Sequence, residues 1–429
     1  MPDHELVETI LAAGRRRCDE VEVFIVEGRS VEAELKRSLI GEATESLSRG
    51  IGIRTIDDGR IGASSTNDPS RWKECLDAAL AGGKFSTPQE WHGLPGPAVL
   101  DREVPVFDPR VTVDAGRARE LLGEMLAGAS AHPAEVVGGG AALGITRSTL
   151  ANSNGTFYTR ERTGVSVSLE TICGTSTGFE FDRSCFLDVD PREVGERAAF
   201  YAVHSSRGQE IASGTYDVIL SPIAASQLLE HIVVPALSGR NVKAGRSFFA
   251  GKIGDQVMDP SLSIRDDPFT RGLGSTTWDA DGVPTRILPF VKRGVLGCFA
   301  YDLKTAYRYG EESTGSAVRS GFGSTPGIGV HNLVVDGPGT CVDDERGIFI
   351  HNLVGAHTAN PVSGDFSVQL ANPTFVEGGN FTDPIRSAML AGNIFEMLSN
   401  IGGIGKDIRI VGRTILPSIR FKKLGVIGK

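Results

Sequence analysis

The turn pairs Asp58-Gly59 and Asn154-Gly155, each set between runs of alternating apolar and polar residues, commit much of this chain to antiparallel hairpins. The stretch from Ser48 to Ala63 supplies two short strands around the first pair, and Val136 to Phe186 alternates in the same way around the second. Glycine takes 54 of the 429 positions and falls largely between such runs. The fold class is therefore α+β with largely antiparallel sheets, not a doubly wound parallel fold.

Helical spacing of Leu6, Ile10, Leu11 and Ala13 precedes a strand at Glu20 to Val26, and Val31, Ala33 and Leu35 alternate after it. Further helices are expected from Ser70 to about Ala81, from Asp114 to about Ala131, from Pro191 to near Gly208 and from Thr382 to about Asn400. Four regions result. Residues 1–85 form an N-terminal α/β region with an antiparallel sheet and helices. Residues 86–109, with Pro88, Pro95, Pro97, Pro105 and Pro109, read as a Pro-rich linker. Residues 110–210 form a middle α+β region, and residues 211–429 a large, mostly antiparallel β-domain with helices.

The 53 acidic residues against 44 basic ones leave a formal net charge of -9, which opposes direct contact with nucleic acid. No apolar run approaches the roughly 18 residues of a membrane span, and residues 1–19 are charged and amphipathic, so a cytoplasmic protein without a membrane partner is expected. Cys18, Cys75, Cys173, Cys185, Cys298 and Cys341 include no Cys-x-x-Cys pair, which fits reduced thiols instead of a disulfide framework.

Several motifs invite a chemical reading. Gly174-Thr175-Ser176-Thr177-Gly178 has the spacing of a serine nucleophile elbow, but the alternating Phe179-Glu180-Phe181 after it fits a hairpin, not the required helix. The glycine-rich segment from Gly321 to Gly329 lacks the Lys-Ser/Thr of a phosphate-binding loop and reads as a loop entering a strand. No His-x-x-x-His pair is present to stack two imidazoles on one helix face. His331, His351 and His357 are candidate metal ligands only if strands bring them together. His331-Asn332-Leu333-Val334 recurs as His351-Asn352-Leu353-Val354, which reads as two similar strands.

Three blocks together resemble the TldD/PmbA family, known also as putative modulators of DNA gyrase and grouped with zinc metallopeptidases. The first is Arg49-Gly50-Ile51-Gly52-Ile53-Arg54 with Asp58 to Asn67, and the second is Asn152-Ser153-Asn154-Gly155. The third is Ser363-Gly364-Asp365-Phe366 followed by Ala391 to Ile401 and Gly405-Lys406-Asp407. In the TldD branch a His-Glu-x-x-x-His motif on a helix supplies zinc ligands and a general base. The equivalent helix here is expected near Ile223 to Leu237, with Glu230, His231 and Pro235 at the motif positions. Adjacent helical side chains diverge by about 100°, so Glu230 and His231 do not face one ion, and proline has no ligand atom. This pattern resembles the PmbA branch, also called TldE.

The resemblance implies a curved C-terminal β-domain and a non-catalytic subunit, with no metal and no cofactor of its own. Its partner is expected to be a TldD-type subunit that carries the zinc, the pair cutting unfolded peptide substrates, with a homodimer as the state of the chain alone. Ser363, Gly364, Asp365, Phe366 and Asn393 are the expected peptide or partner contacts, equally well explained as a turn required for folding. Two other readings stay open: a metallopeptidase active alone through a different metal site, and a non-proteolytic regulator that binds gyrase or another protein.

Overall fold

The computed structural model describes residues 3–428. Helix α1 (Asp3–Gly14) leads into β1 (Glu20–Lys36), β2 (Leu39–Asp57) and β3 (Arg60–Thr66). Asp58 and Gly59 join β2 to β3 at φ of 47° and 68°, the positive values that a two-residue primed turn demands. Helix α2 (Trp72–Gly83) follows a short turn whose cap is Asp68, not Ser70, because the Asp68 carboxylate accepts the Ser70 N–H at 2.9 Å.

Residues 87–108 contain neither helix nor strand, yet they are pinned to the fold. Trp91 Nε1 donates to Glu20 at 2.6 Å, and Leu94 and Val106 are buried. Helix α3 (Ala115–Ala129), capped by Asp114, then precedes β4 (Glu135–Asn152), β5 (Phe157–Cys173), β6 (Ser176–Ser184) and helix α4 (Pro191–Ser205).

Among the described residues these strands form one six-stranded sheet in the order β3-β2-β1-β4-β5-β6. Every pairing is antiparallel, and β1 runs against β4 from Glu22↔Asn152 to Lys36↔Gly138, so both sides of the proline-rich stretch share one sheet. Strand alternation assigns the faces. Val21, Val23 and Ile25 are buried with α1 and α2, and Val31, Ala33 and Leu35 with α3 and α4. The opposite face, which begins at Glu22 and Phe24, meets the C-terminal domain. Since β3 reaches only to the partner of Ile51, the first half of β2 is a free edge that exposes Leu39, Ile40 and Leu47.

The C-terminal domain curls two further sheets around one apolar core. Strand β7 (Gly214–Leu220) lies within a nine-stranded sheet, antiparallel to Ile419–Gly428 on one side and parallel to Gly347–Ile350 on the other. A six-stranded sheet includes Ser263–Asp266, Leu288–Lys292, Leu333–Asp336 and Thr414–Leu416. The two His-Asn-Leu-Val copies each open a strand, one in each sheet. Phe249, Phe290, Phe395 and Phe421 are the largest fully buried side chains at this core. Each such burial contributes roughly 1.5–3 kcal/mol.

One helix expected from sequence is absent. Thr382 to Asn400 divides into the strands Asn380–Pro384 and Ala388–Asn393 and a five-residue helix, Ile394–Leu398. Backbone pairing to Thr374–Glu377, Asp365–Ala371 and Ile419–Gly428 outweighs the local helical pattern. Asn393, not Thr382, caps that helix, accepting the N–H of Phe395 at 3.0 Å.

Candidate functional site

The segment expected to carry the zinc-motif positions is helical. Helix α5 (Pro222–Leu228) is capped by Ser221, whose hydroxyl accepts the Ala224 N–H at 3.2 Å. A π-helical turn, Leu229–Val233, and the short helix Val234–Ala236 continue it. Pro235 has no N–H to offer the carbonyl four residues back, and the ladder widens just before it, with Val234 N–H bonding the Leu229 carbonyl.

Glu230 lies in that turn and accepts a hydrogen bond from the Thr414 hydroxyl at 2.9 Å. Although the residue is exposed, its carboxyl is crowded enough that desolvation raises its pKa, against the Thr414 bond and the charges of His231 and Arg413. His231 is exposed, and Pro235 contributes no ligand atom. The residues at these positions do not make a tetrahedral site.

The three histidines go to different places. His331 is buried, with Nε2 2.8 Å from the Gly315 carbonyl, and burial lowers its pKa to about 4. His351 is buried against Tyr201 with ring centroids 3.8 Å apart, and its Nε2 lies 3.1 Å from the Phe179 carbonyl. Burial lowers its pKa to about 4, although Glu180 opposes the shift. His357 occupies an exposed turn, Ala356–Thr358. Among the described residues one cluster has metal-ligand geometry, and it is Cys341, Asp343 and Asp344. There the thiol donates to the two carboxylates at 3.3 and 3.2 Å, and those bonds push it up to about 11.

Gly174 and Thr175 form the tip of the β5–β6 hairpin, with Gly174 at φ 61°, so Ser176 sits on a strand and not on a nucleophile elbow. The same hairpin carries Glu180, buried and bonded to Arg409 at 2.7 Å and Arg197 at 3.1 Å. The Gly321–Gly329 segment lies on the N-terminal sheet: a Cβ on Gly52 would meet the Phe322 carbonyl oxygen at 2.4 Å. Beside it Arg54 joins Glu22 and Asp281, and Arg319 reaches Glu22 at 2.7 Å, all four side chains nearly or wholly buried.

Ser363, Gly364, Asp365, Phe366 and Asn393 are brought together. Asn393 Nδ2 donates to the Ser363 carbonyl at 2.8 Å and to Asp365 Oδ1 at 2.9 Å, while the Ser363 hydroxyl donates to Asp365 Oδ2 at 2.7 Å. Gly364, at φ 88°, passes so close to Phe395 that a Cβ would lie 2.5 Å from its ring. Phe366 is buried in the core. These bonds hold Asp365 below its ordinary carboxylate range, with the Ser363 hydroxyl the leading cause.

Spacing did not single out the arginines of the domain seam. Tyr158, Arg160 and Arg162 alternate on the β5 face opposite the helix-packed Val165, Val167 and Leu169; Tyr158 stacks on Trp278 of the C-terminal domain, Arg160 meets Thr276, and Arg162 meets Leu273 and Ser275. Basic residues at every second position of a strand were the available signal.

The architecture is a helix-backed antiparallel sheet docked on a curled β-domain. Models of PmbA/TldA metallopeptidase domain 1, central domain and C-terminal domain match residues 21–82, 108–205 and 213–428. The chain belongs to the PmbA/TldD metallopeptidase family. An uncharacterized protein of Methanocaldococcus jannaschii is 30% identical over 97% of this chain and 98% of its own. A protein of Haemophilus influenzae named a metalloprotease PmbA homolog is 25% identical over 95% of this chain and 92% of its own. The crystal structure of TldE from Thermococcus kodakarensis superposes with a TM-score of 0.90 at 26% identity, covering 99% of this chain and 100% of that one.

Proposed function

We propose that this chain is a PmbA/TldE-type subunit that works in the cytoplasm with a zinc-bearing TldD-type partner in the hydrolysis of unfolded peptides, and that it carries no catalytic zinc itself. The observation that supports this most is the condition of the motif helix: Pro235 interrupts its ladder, and Glu230 is held by Thr414 beside the cation Arg413. A cation next to Glu230 disfavours a second positive charge there. The free edge of β2, with Leu39, Ile40 and Leu47 exposed, offers a strand for a partner to extend.

Metal analysis and peptide cleavage should be measured for this chain alone and after co-expression with a TldD-type chain. The expected result is metal-free, inactive protein alone and cleavage by the pair. Near-stoichiometric zinc on the lone chain, or cleavage without a partner, overturns the reading.

A further inference from the structure

Where the N-terminal sheet meets the C-terminal domain, a cavity of about 310 Å³ is lined by Arg160, Arg162, Arg319 and Arg413 with Trp278 and His331. Among the described residues, Arg160, Arg162 and Arg413 bond only to neutral groups. Arg160 donates to the Thr276 hydroxyl, Arg162 to the Leu273 carbonyl, to the Ser275 carbonyl at 2.6 Å and to the Cys185 sulfur, and Arg413 to the Val330 carbonyl at 3.3 Å. Arg319 does pair with Glu22, but its side chain is only 6% exposed and its Nε has no partner.

Gathering guanidinium groups without matching carboxylates is costly, since each loses water and repels the others. Desolvation, then Arg162 and Arg413, accordingly lowers Arg160 to about 9. Glu22 offsets Arg319, and Glu230 and Asp266 lie near Arg413, but among the described residues no carboxylate pairs with Arg160 or Arg162. Burial, and then Asp281, pushes Asp279 well above its ordinary range, and burial pushes Asp266 to about 7. Trp278 packs under the Arg160 guanidinium at 4.7 Å and stacks on Tyr158, which orients the group before any ligand arrives. In a chain of net charge -9, this is a local concentration of positive charge.

We propose that this cavity binds a carboxylate of a peptide through Arg160, Arg162 and Arg413. A guanidinium fork matches a carboxylate with two parallel hydrogen bonds, and the volume lies at the small end of the range for ligand pockets, enough for a terminal residue or one acidic side chain. The site rests on the peptide-handling reading above and refines it to peptides that present an acidic group. Binding to this chain alone is measurable whether or not any partner cleaves the peptide, so the two readings fail separately.

The test is calorimetric titration of the purified chain, at low salt, with three N-acetylated tripeptides: trialanine with a free C-terminus, trialanine amide, and the amide with aspartate in the middle. At least one carboxylate peptide is expected to bind tenfold or more tightly than the neutral amide, and the tighter of the two identifies the source of the carboxylate. R160Q and R413Q should each weaken it at least tenfold, whereas R413K recovers only part of the affinity, because lysine keeps the charge and loses the fork. If R160Q fails to fold, R413Q decides, because that side chain makes one neutral 3.3 Å bond. Equal binding of the neutral amide, no binding of either acid, an unchanged affinity in R413Q, or tighter binding of inorganic phosphate than of both acids overturns the proposal.

Discussion

Arg54 of β2 donates to Asp281 of the C-terminal domain at 2.6 Å, with 6% of one side chain and none of the other exposed. The same guanidinium holds Glu22 of β1, so one residue ties two strands of the N-terminal sheet to the second domain. Removing it leaves Asp281 without its cation and Glu22 with Arg319 alone in a low-dielectric seam. Arg54→Ala is expected to lower unfolding stability by about 3–5 kcal/mol in urea titrations, with Arg54→Lys recovering only part because it lacks the fork. A loss under about 1 kcal/mol would contradict the structural role assigned to the pair.

Gly52 carries a steric prediction at the same seam. Alanine there drives a methyl group into the Phe322 carbonyl, a backbone atom that rotamer changes cannot move aside. Gly52→Ala should cost on the order of 1–3 kcal/mol and speed proteolytic cutting between residues 320 and 326. Unchanged cutting would mean that the loop yields without leaving the sheet.

Two buried groups predict opposite slopes of stability with pH. His351 folds with its pKa lowered to about 4 by burial, from an ordinary value of roughly 6.5. The unfolded chain therefore binds the extra proton, and the stability from this residue is full above about pH 6.5 and is lost as pH falls toward 4, on the order of 3 kcal/mol. Asp266, raised to about 7 by burial, does the reverse: its contribution is full below the unfolded value near 4 and is lost as pH rises toward 7. Melting curves from pH 4 to 7 should flatten in His351→Phe and steepen upward in Asp266→Asn. Parallel curves for either variant and the parent chain would remove that residue as the source.

Asn393 separates a folding role from a contact role for Ser363–Phe366. Asn393→Ala removes the cap of Ile394–Leu398 and two bonds to the Ser363–Asp365 turn, and should cost about 1–2 kcal/mol. If the turn also touches a partner, recovery of a co-expressed TldD-type chain should fall by more than the melting temperature accounts for. Full recovery would assign the turn to folding alone.

The hairpins were legible because their signals are local. Asp58-Gly59 and Asn154-Gly155 carry the turn conformation in their own backbone preferences, and the alternation of Val21, Val23 and Ile25 shows the face that packs on helices. The segment after Thr382 was misread because its strands depend on partners that include residues 374–377 and 419–428, information absent from any local window. The Ser363–Asn393 contacts were legible only as two separate motifs, which register Asp365↔Asn393 joins. The arginine cavity as a whole was not legible: Arg160 and Arg162 are neighbours on one strand, but Arg319 and Arg413 lie far from them in sequence and meet them only through docking of the domains.

The pairing of β1 with β4 carries a last consequence, for covalent continuity. A chain cut within residues 87–108 would still be clasped by the ladder from Glu22↔Asn152 to Lys36↔Gly138, so its two pieces should migrate as one particle under native conditions and separate only in denaturant. The peptide connection there is thus expected to be dispensable to shape, and co-expression of the two pieces should yield one particle.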